Sequence, residues 1–302
     1  MRVFDVRINF LRLKYMHFSK PGIDRSEGSC PCVRGAGYTE IQMLGAPTFD
    51  REAEIRSYYA ALYRAWGPQH WWPAETQFEV IVGAYLTQNT SWTNVERALE
   101  NLRQRRLLSV EGVRAAKRIT LERLIRPSGY FRQKAGRLKT FIGFLDREYQ
   151  GSLDKMFAQP TPKLRSELLN LNGVGPETAD SILLYAGNHP VFVVDAYTRR
   201  ILDRHGIMSE RADYEEIRSF FEHSLGPIAV KQERSVKQHQ PLESDIRGAA
   251  HAPSAMSTAH RTALAQVYNE MHGLIVGVGK NYCRKSKAAC EGCPLQPFLQ
   301  KE

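Results

Sequence analysis

Apolar residues recur along most of this chain at the spacing of an α-helix. The first such stripe consists of Phe78, Ile81, Val82 and Tyr85, at i, i+3, i+4 and i+7. Three further stripes begin after Ser91, after the Pro-Ser-Gly break at 127–129 and after Thr161-Pro162. Ser91 can cap free amides and Pro162 suits a first helical turn. Only the apolar run at 191–194 favours a short strand, so the sequence predicts a mainly α-helical protein.

Two stretches interrupt the helical pattern and suggest the division of the chain. Residues 1–48 carry Gly, Ser, Pro and a Cys-Pro-Cys without apolar periodicity, which favours a poorly ordered N-terminal extension. Residues 231–258 are polar, and we interpret them as a flexible insertion. Contact between the insertion's basic residues and a polyanionic partner is the alternative. The core is therefore expected at 49–230, with a C-terminal helix and Cys-rich loop at 259–302.

The charge balance favours a polyanionic partner. The chain has 42 Lys and Arg against 32 Asp and Glu, with a pI near 9.4, and each phosphate that a cation neutralises releases counterions. No apolar run approaches the roughly 20 residues that span a bilayer, and the N-terminus lacks the apolar stretch of a secretory signal. Five cysteines, three of them near the C-terminus, favour a metal site in a reducing cytoplasm over disulfides.

A tight turn between two predicted helices has the features of an anion site. Gly173 and Gly175 flank Val174, and Pro176 opens the next helix. Glycine allows a positive φ and close approach of a ligand to the backbone, while Val174 can anchor the turn in the core. The outward amides of such a turn can hold a phosphate. A tight helix–helix turn without a ligand remains the alternative.

The helix after this turn leads to the loop Gly187-Asn188-His189-Pro190, then to Asp195. This order of hairpin, helix, Gly/Pro loop and aspartate resembles the HhH-GPD (helix-hairpin-helix) signature of the endonuclease III superfamily. The resemblance implies an all-α, two-lobed fold with its active-site cleft between the lobes. It implies a DNA glycosylase of base excision repair that acts on double-stranded DNA, usually as a monomer. Gly173, Val174 and Gly175, with Lys134 upstream, are the expected DNA-binding residues.

The resemblance assigns the essential carboxylate to Asp195. Cleavage of an N-glycosidic bond builds oxocarbenium character on the sugar, which a carboxylate stabilises; a helix N-cap is the alternative role. Bifunctional members have a Schiff-base lysine in a GVGRKTA-like string, whereas this chain reads GVGPETA, with Glu177 at that position. A carboxylate forms no imine, so a monofunctional enzyme is expected. Glu177 either assists as a second carboxylate or favours the helix N-terminus.

Aromatic residues upstream indicate where the base binds. Trp71-Trp72-Pro73, the string Leu86 to Ser91 and Trp92 resemble the 3-methyladenine glycosylase branch of the family. In that branch aromatic side chains sandwich the flipped base, and Trp71, Trp72 and Trp92 match those positions. A cationic N3-alkylpurine gains energy over an aromatic face and is already a good leaving group. The resemblance also assigns Gln88 to the gap left by the flipped base. Core tryptophans and a helix C-cap glutamine are the alternatives.

The C-terminal cysteines resemble part of an iron–sulfur loop. Cys283, Cys290 and Cys293 match the first three ligands of the family's 4Fe–4S cluster, but the fourth position is Leu299. A labile three-ligand cluster and a degenerated site both remain open.

Two further functions stay open at the level of sequence. One is an endonuclease III-like glycosylase for oxidised or mismatched bases. The other is a hairpin module that binds DNA without chemistry, against which Asp195 argues, because simple binding hairpins need no carboxylate there.

Overall fold

The computed structural model describes residues 50–235 and 251–299, and the predicted extension at 1–48 lies outside them. The described helices are α1 Arg51–Trp66, α2 Gln77–Thr87, α3 Trp92–Gln104, α4 Val110–Ala115, α5 Arg118–Leu124, α6 Phe131–Tyr149, α7 Leu153–Phe157, α8 Thr161–Leu169, α9 Pro176–Ser181, α10 Ala196–Arg204, α11 Tyr214–Ser235 and α12 Ala263–Asn281. A π-helical turn, Ile182–Ala186, continues α9, and 3-10 turns occur at Arg126–Ser128 and Gln296–Phe298. These described residues form no β-strand. The predicted α-helical fold is confirmed.

The helices pack in two groups. Helices α1, α10, α11 and α12, from both ends of the described chain, pack against one another. Helices α2 to α7 form the second group, in which α6 contacts α2, α4, α5 and α7, and α8 packs against α9. The π-helical turn contacts both α2 and α12 and thereby joins the two groups. The residues that connect the lobes therefore lie directly after the predicted hairpin.

The predicted helices lie where the apolar stripes place them. Helix α2 begins after Thr76, whose side chain accepts a hydrogen bond from the backbone N–H of Glu79. Helix α8 has Pro162 in its first turn, as expected. Helix α3 begins after Ser91, but the Ser91 side chain makes no capping hydrogen bond. Apolar spacing thus located α3 correctly, although the predicted cap contributes nothing.

The run at 191–194 is not a strand. All four residues are buried, with at most 1% of their surface exposed, in an extended segment that leads to α10. The backbone N–H of Phe192 donates to Glu222 Oε1 at 3.0 Å, and that of Val194 donates to the Tyr214 hydroxyl at 3.3 Å. Side chains therefore satisfy amides that a neighbouring strand would otherwise bind.

The predicted insertion at 231–258 is too long at both ends. Helix α11 continues to Ser235, and residues 251–258 pack along the loop that carries the predicted aromatic residues. The backbone N–H of Met256 donates to the Ala74 carbonyl at 3.0 Å, and that of Ala74 donates to Ser254 Oγ at 3.2 Å. The sequence of this segment has no apolar period and therefore suggested a flexible loop. In the structure, backbone hydrogen bonds hold the segment in place. Residues 236–250 lie outside the described residues.

In the described part of the chain, no helix is both long and apolar enough to cross a membrane.

Candidate active site

The hairpin has the predicted form. Gly173 has φ of +81°, and a Cβ atom there would lie 1.9 Å from Arg137 Nε. Val174 is 7% exposed and anchors the turn, whereas a Cβ at Gly175 would meet nothing within 4 Å. Pro176 then opens α9. Gly173 is therefore required by the protein itself, while Gly175 borders open space that a ligand can approach.

Gln88 ties the end of α2 to the hairpin. Its Nε2 donates to the Gly173 carbonyl and to Thr178 Oγ1, both at 3.0 Å. Arg137 Nη1 donates to Gln88 Oε1 at 2.5 Å. Gln88 is half-buried and follows the last residue of α2, so its position also fits the C-cap alternative. In this structure its amide braces the hairpin.

Lys134 does not fit its predicted role as a DNA contact. The side chain is 1% exposed, and Nζ donates to the carbonyls of Leu86 at 2.8 Å and Ser128 at 2.6 Å. Burial and the nearby Arg137 charge lower the pKa of Lys134 to about 8. The amine satisfies backbone carbonyls in the interior and does not reach a phosphate on the surface. Its expected contact with DNA is therefore withdrawn.

Asp195 caps α10 and presents its other oxygen to a histidine. Oδ1 accepts from the backbone N–H of Thr198 at 2.8 Å and from its hydroxyl at 2.9 Å. Oδ2 lies 3.6 Å from His272 Nε2, and the side chain is 13% exposed. Burial favours the neutral acid, but His272 and the Thr198 donors outweigh it and lower the pKa of Asp195. The N-cap role is thus present together with a buried carboxylate that stays ionised.

Glu177 faces the same region from the first turn of α9. Its side chain is open to solvent, yet the surrounding protein mass and the Asp195 charge raise its pKa to about 7. The charges of His272 and Arg199 oppose this rise. The pKa values of the two carboxyl groups are therefore shifted in opposite directions, which makes Asp195 the stronger acid.

An ion-pair network connects the hairpin helices to the Asp195 loop. Asp180 of α9 is fully buried and forms a two-bond pair with Arg165 of α8, at 2.7 and 3.1 Å. Asp180 also interacts with the Tyr214 hydroxyl, which accepts from the Val194 amide next to Asp195. The hairpin and the aspartate loop are therefore held in one geometry by a shared set of contacts.

The predicted tryptophans form one aromatic cluster. Trp72 lies edge-on to Trp92 and tilted against Tyr185, with ring centroids 5.1 Å apart in both pairs. Trp71 contacts Trp72 at 6.0 Å and the His272 ring at 6.0 Å. Trp71 and Trp72 are 8% and 6% exposed, and Trp92 is half-buried. Most of the surface of these rings is buried, as the alternative of core tryptophans expects. The cluster nevertheless extends to His272, which lies beside Asp195.

A glycine permits this packing. A Cβ at Gly83 of α2 would lie 3.1 Å from the Trp72 ring, which is tighter than ordinary van der Waals contact. A side chain at residue 83 would therefore require the indole to move by a few tenths of an ångström.

In the described residues the C-terminal cysteines are not arranged as a set of metal ligands. All three are free thiols, position 299 is leucine, and the described residues contain no group of three or more His, Cys, Asp or Glu placed to hold a metal ion. Arg204 instead donates to Cys283 Sγ at 3.3 Å, to the Arg284 carbonyl at 2.8 Å and to the Lys285 carbonyl at 3.2 Å. Arginine contacts therefore hold the loop, and we assign no chemical step to a cluster.

Several residues of this site were not predicted from the sequence. They are Arg137 at the hairpin, Tyr185 in the π-helical turn, His272 of α12, and Lys280, whose Nζ lies 5.7 Å from the Trp71 ring centre. Polar residues within the apolar stretches of α12 were the available signal for His272. Only the packing of α12 on the π-helical turn shows what it contacts.

Comparisons with known proteins identify the family of this chain. A family model described as HhH-GPD superfamily base excision DNA repair protein matches residues 82–227. The putative DNA repair glycosylase of Methanocaldococcus jannaschii is 42% identical over 246 residues, covering 81% of this chain and 94% of that protein. Endonuclease III of Thermotoga maritima is 33% identical over 138 residues, covering 46% of this chain and 61% of that protein.

Solved structures show the same fold. The 3-methyladenine DNA glycosylase of H. pylori, bound to 1,N6-ethenoadenine, has a TM-score of 0.60 and 28% identity, covering 76% of this chain and 97% of that chain. A trapped covalent intermediate of endonuclease III with DNA has a TM-score of 0.59 and 20% identity, covering 82% and 95% of the two chains. The resemblance to endonuclease III-like and 3-methyladenine glycosylases is thus confirmed. The chain belongs to the HhH-GPD superfamily of base excision DNA repair glycosylases.

Proposed function

We propose that this glycosylase is monofunctional and hydrolyses the bond between the sugar and a flipped alkylated purine such as 3-methyladenine. The observation that carries the proposal is the pairing of an ionised, buried Asp195 with Glu177, a carboxyl group where bifunctional relatives have a lysine.

Asp195 supplies the electrostatic part of the reaction. Departure of the base leaves positive charge on the sugar, and a carboxylate held anionic in a water-poor site stabilises that charge strongly. The two donors from Thr198 hold Oδ1 in place before substrate binds and leave Oδ2 free of a bond to Thr198. In the proposed reaction a water molecule attacks the sugar carbon as the base leaves and completes hydrolysis.

The proposed enzyme has no lyase step because Glu177 stands at the position of the lysine that would form the imine. An imine requires a neutral amine at the sugar carbon, and a carboxyl group provides none. With a pKa of about 7, part of the Glu177 population is protonated at neutral pH. The group then adds less negative charge beside Asp195 than a fully ionised carboxylate.

The aromatic cluster favours a cationic base. Alkylation at N3 gives the purine a positive charge, which gains about 0.5–2 kcal/mol over an aromatic face. Trp71, Trp72 and Trp92 are our candidate base-binding residues, and the likeness to the H. pylori enzyme supports this choice. A charged base also leaves without a general acid, so aromatic walls and one carboxylate suffice.

The hairpin positions the enzyme on its substrate. The solvent-facing Gly175 lets a phosphate of double-stranded DNA approach the turn, with Gly173 and Val174 shaping it. Gln88 stands beside the hairpin and fills the space of the flipped base once its contacts to Gly173 and Thr178 are exchanged. The enzyme is proposed to act as a monomer.

Base release from a methylated duplex tests the proposal. Free 3-methyladenine is expected, with strand breaks only after alkali, and Asp195→Asn is expected to lower the rate about a hundredfold or more. Asparagine still caps a helix, so duplex binding by this variant should persist. Base release only from oxidised or mismatched duplexes would instead support the endonuclease III-like alternative. Binding without any release would support the non-catalytic one.

Borohydride trapping on an abasic duplex tests the monofunctional claim separately. The wild-type protein should form no covalent adduct, and an adduct would overturn the claim. Glu177→Lys is the matched variant, because it restores an amine at the position where bifunctional relatives carry one.

A further inference from the structure

His272 lies where α12 meets the π-helical turn, the segment that joins the two groups of helices. It is on α12 and 4% exposed. Its Nδ1 lies 2.6 Å from the hydroxyl of Tyr185, in the π-helical turn, and its Nε2 lies 3.6 Å from Asp195 Oδ2. The rings of Trp71 and Phe192 pack around the imidazole, with centroids 6.0 and 6.4 Å away. The ring is therefore fixed on several sides.

The Nε2 atom of His272 is buried and has no hydrogen-bond partner among the described residues. A buried polar atom without a partner costs free energy, so such an atom calls for an explanation. Its nearest acidic group is the Asp195 carboxylate, at a distance longer than a direct hydrogen bond but within that of an ion pair. A small movement of either side chain completes the bond.

The contact with Tyr185 determines which ring nitrogen of His272 carries the proton. Burial raises the pKa of Tyr185 well above its usual range, so its hydroxyl keeps its proton. This hydroxyl can donate to a bare Nδ1, which leaves the proton on Nε2. If the ring is doubly protonated, the hydroxyl accepts from Nδ1 instead. In both cases an N–H points at Asp195, whereas a bare Nε2 would set a lone pair against a carboxylate.

We propose that His272 is a positioning residue for Asp195: oriented by the Tyr185 hydroxyl, it presents its Nε2–H to Oδ2 and sets the direction of the carboxylate toward the sugar. The proposal rests on the function proposed above, in which Asp195 is the carboxylate that acts on the sugar. Thr198 holds one oxygen of the carboxylate and His272 directs the other.

A second tyrosine–histidine pair in the same chain provides a control. His205 Nδ1 lies 2.7 Å from the Tyr58 hydroxyl, and His205 is 8% exposed. It is thus similar to His272 in burial and in its tyrosine contact. No ion pair joins it to an acidic residue of the described chain. Substitution of His205 therefore reports the cost of losing a buried histidine without the proposed positioning.

The test compares two amide substitutions of His272. In His272→Asn the amide reaches Tyr185 but not Asp195, whereas in His272→Gln the longer side chain carries its N–H to Asp195. We expect single-turnover base release to be roughly tenfold to a hundredfold slower for Asn than for Gln, because loss of positioning affects the chemical step. Damaged-duplex affinity should stay within about twofold of wild type in both. Equal rates in the two variants would overturn the proposal, and His205→Asn should keep the wild-type rate.

Imidazole nitrogen resonances of the wild-type protein give a readout that does not require activity. The His272 signals, assigned by their absence in His272→Gln, should show a proton on Nε2 in either the neutral or the charged ring. A neutral ring with its proton on Nδ1 would overturn the proposal even if base release is normal. If no duplex releases a base, the proposed function fails, while the nitrogen signals still decide how His272 faces Asp195.

Discussion

Arg137 fills the space beside Gly173, so that a single methyl group on that glycine would lie 1.9 Å from the guanidinium Nε. The same arginine donates to Gln88, which in turn donates to the Gly173 carbonyl. The turn that is proposed to hold a phosphate is thus braced from inside by an arginine and an amide. Gly173 therefore has a structural role in the hairpin, whereas Gly175 faces the proposed ligand.

Gly173→Ala is expected to destabilise the protein by about 1–3 kcal/mol, because it combines a positive φ with a clash against Arg137. Denaturant unfolding measures the change. Gly175→Ala is the matched variant, since its φ is −94° and its added methyl meets nothing within 4 Å. It should leave stability within about 0.5 kcal/mol of wild type and weaken duplex binding. Equal stability losses would contradict the distinction.

Glu177 should make the protein less stable as pH rises. Its pKa is about 7 in the folded state and 4.5 ordinarily, so the folded state holds a proton that the unfolded chain releases between these values. The stability from this group is present below pH 4.5 and is lost as pH rises through about 7. Glu177→Gln removes the titration and should be the more stable protein above that pH, by less than about 1 kcal/mol because water screens the side chain.

Unfolding of wild type and Glu177→Gln at a series of pH values measures this difference. The two curves should run together below pH 4.5 and separate toward pH 7. A constant gap across the range would mean that Glu177 titrates as an ordinary surface residue.

Lys134→Met should lower stability and leave DNA binding of the folded protein unchanged. The variant removes the donor from two buried carbonyls, those of Leu86 and Ser128, at a cost of about 2–4 kcal/mol. Lys139→Met, on the same helix but with an exposed hydrogen bond to the Arg114 carbonyl, is the control and should cost less than about 0.5 kcal/mol. A weaker affinity for duplex DNA in Lys134→Met, measured where the variant is folded, would restore the phosphate-contact interpretation.

The cysteine loop is expected to keep its structure without iron. Replacement of Cys283, Cys290 and Cys293 together by serine should lower the unfolding temperature by only about a few degrees, which is the cost of placing hydroxyl groups at the two buried positions, 283 and 293. Arg204→Ala should lower it, because the loop loses the bonds to the carbonyls of Arg284 and Lys285. Iron analysis of anaerobically purified protein is the direct measurement. Stoichiometric iron with the visible absorbance of a cluster would show that these thiols do ligate a metal.

The sequence by itself determined the helices and the hairpin, because both depend on short-range rules. Apolar spacing located α2 and α6, and the glycines of the turn with Pro176 indicated its conformation. The position of Asp195 followed from its place after the hairpin. These features involve residues close together in the chain, where backbone geometry and periodicity act directly.

Only the tertiary structure decided the surroundings of these residues. Lys134 carries an amine of the kind that binds phosphate, yet helix packing buries this amine against two backbone carbonyls. His272 lies 77 positions after Asp195 in the chain, with no local pattern linking them, and reaches it because α12 packs against α10, the helix that Asp195 caps. Burial and long-range contacts set the charge states of Glu177 and Asp195, because desolvation and neighbouring charges depend on the folded arrangement.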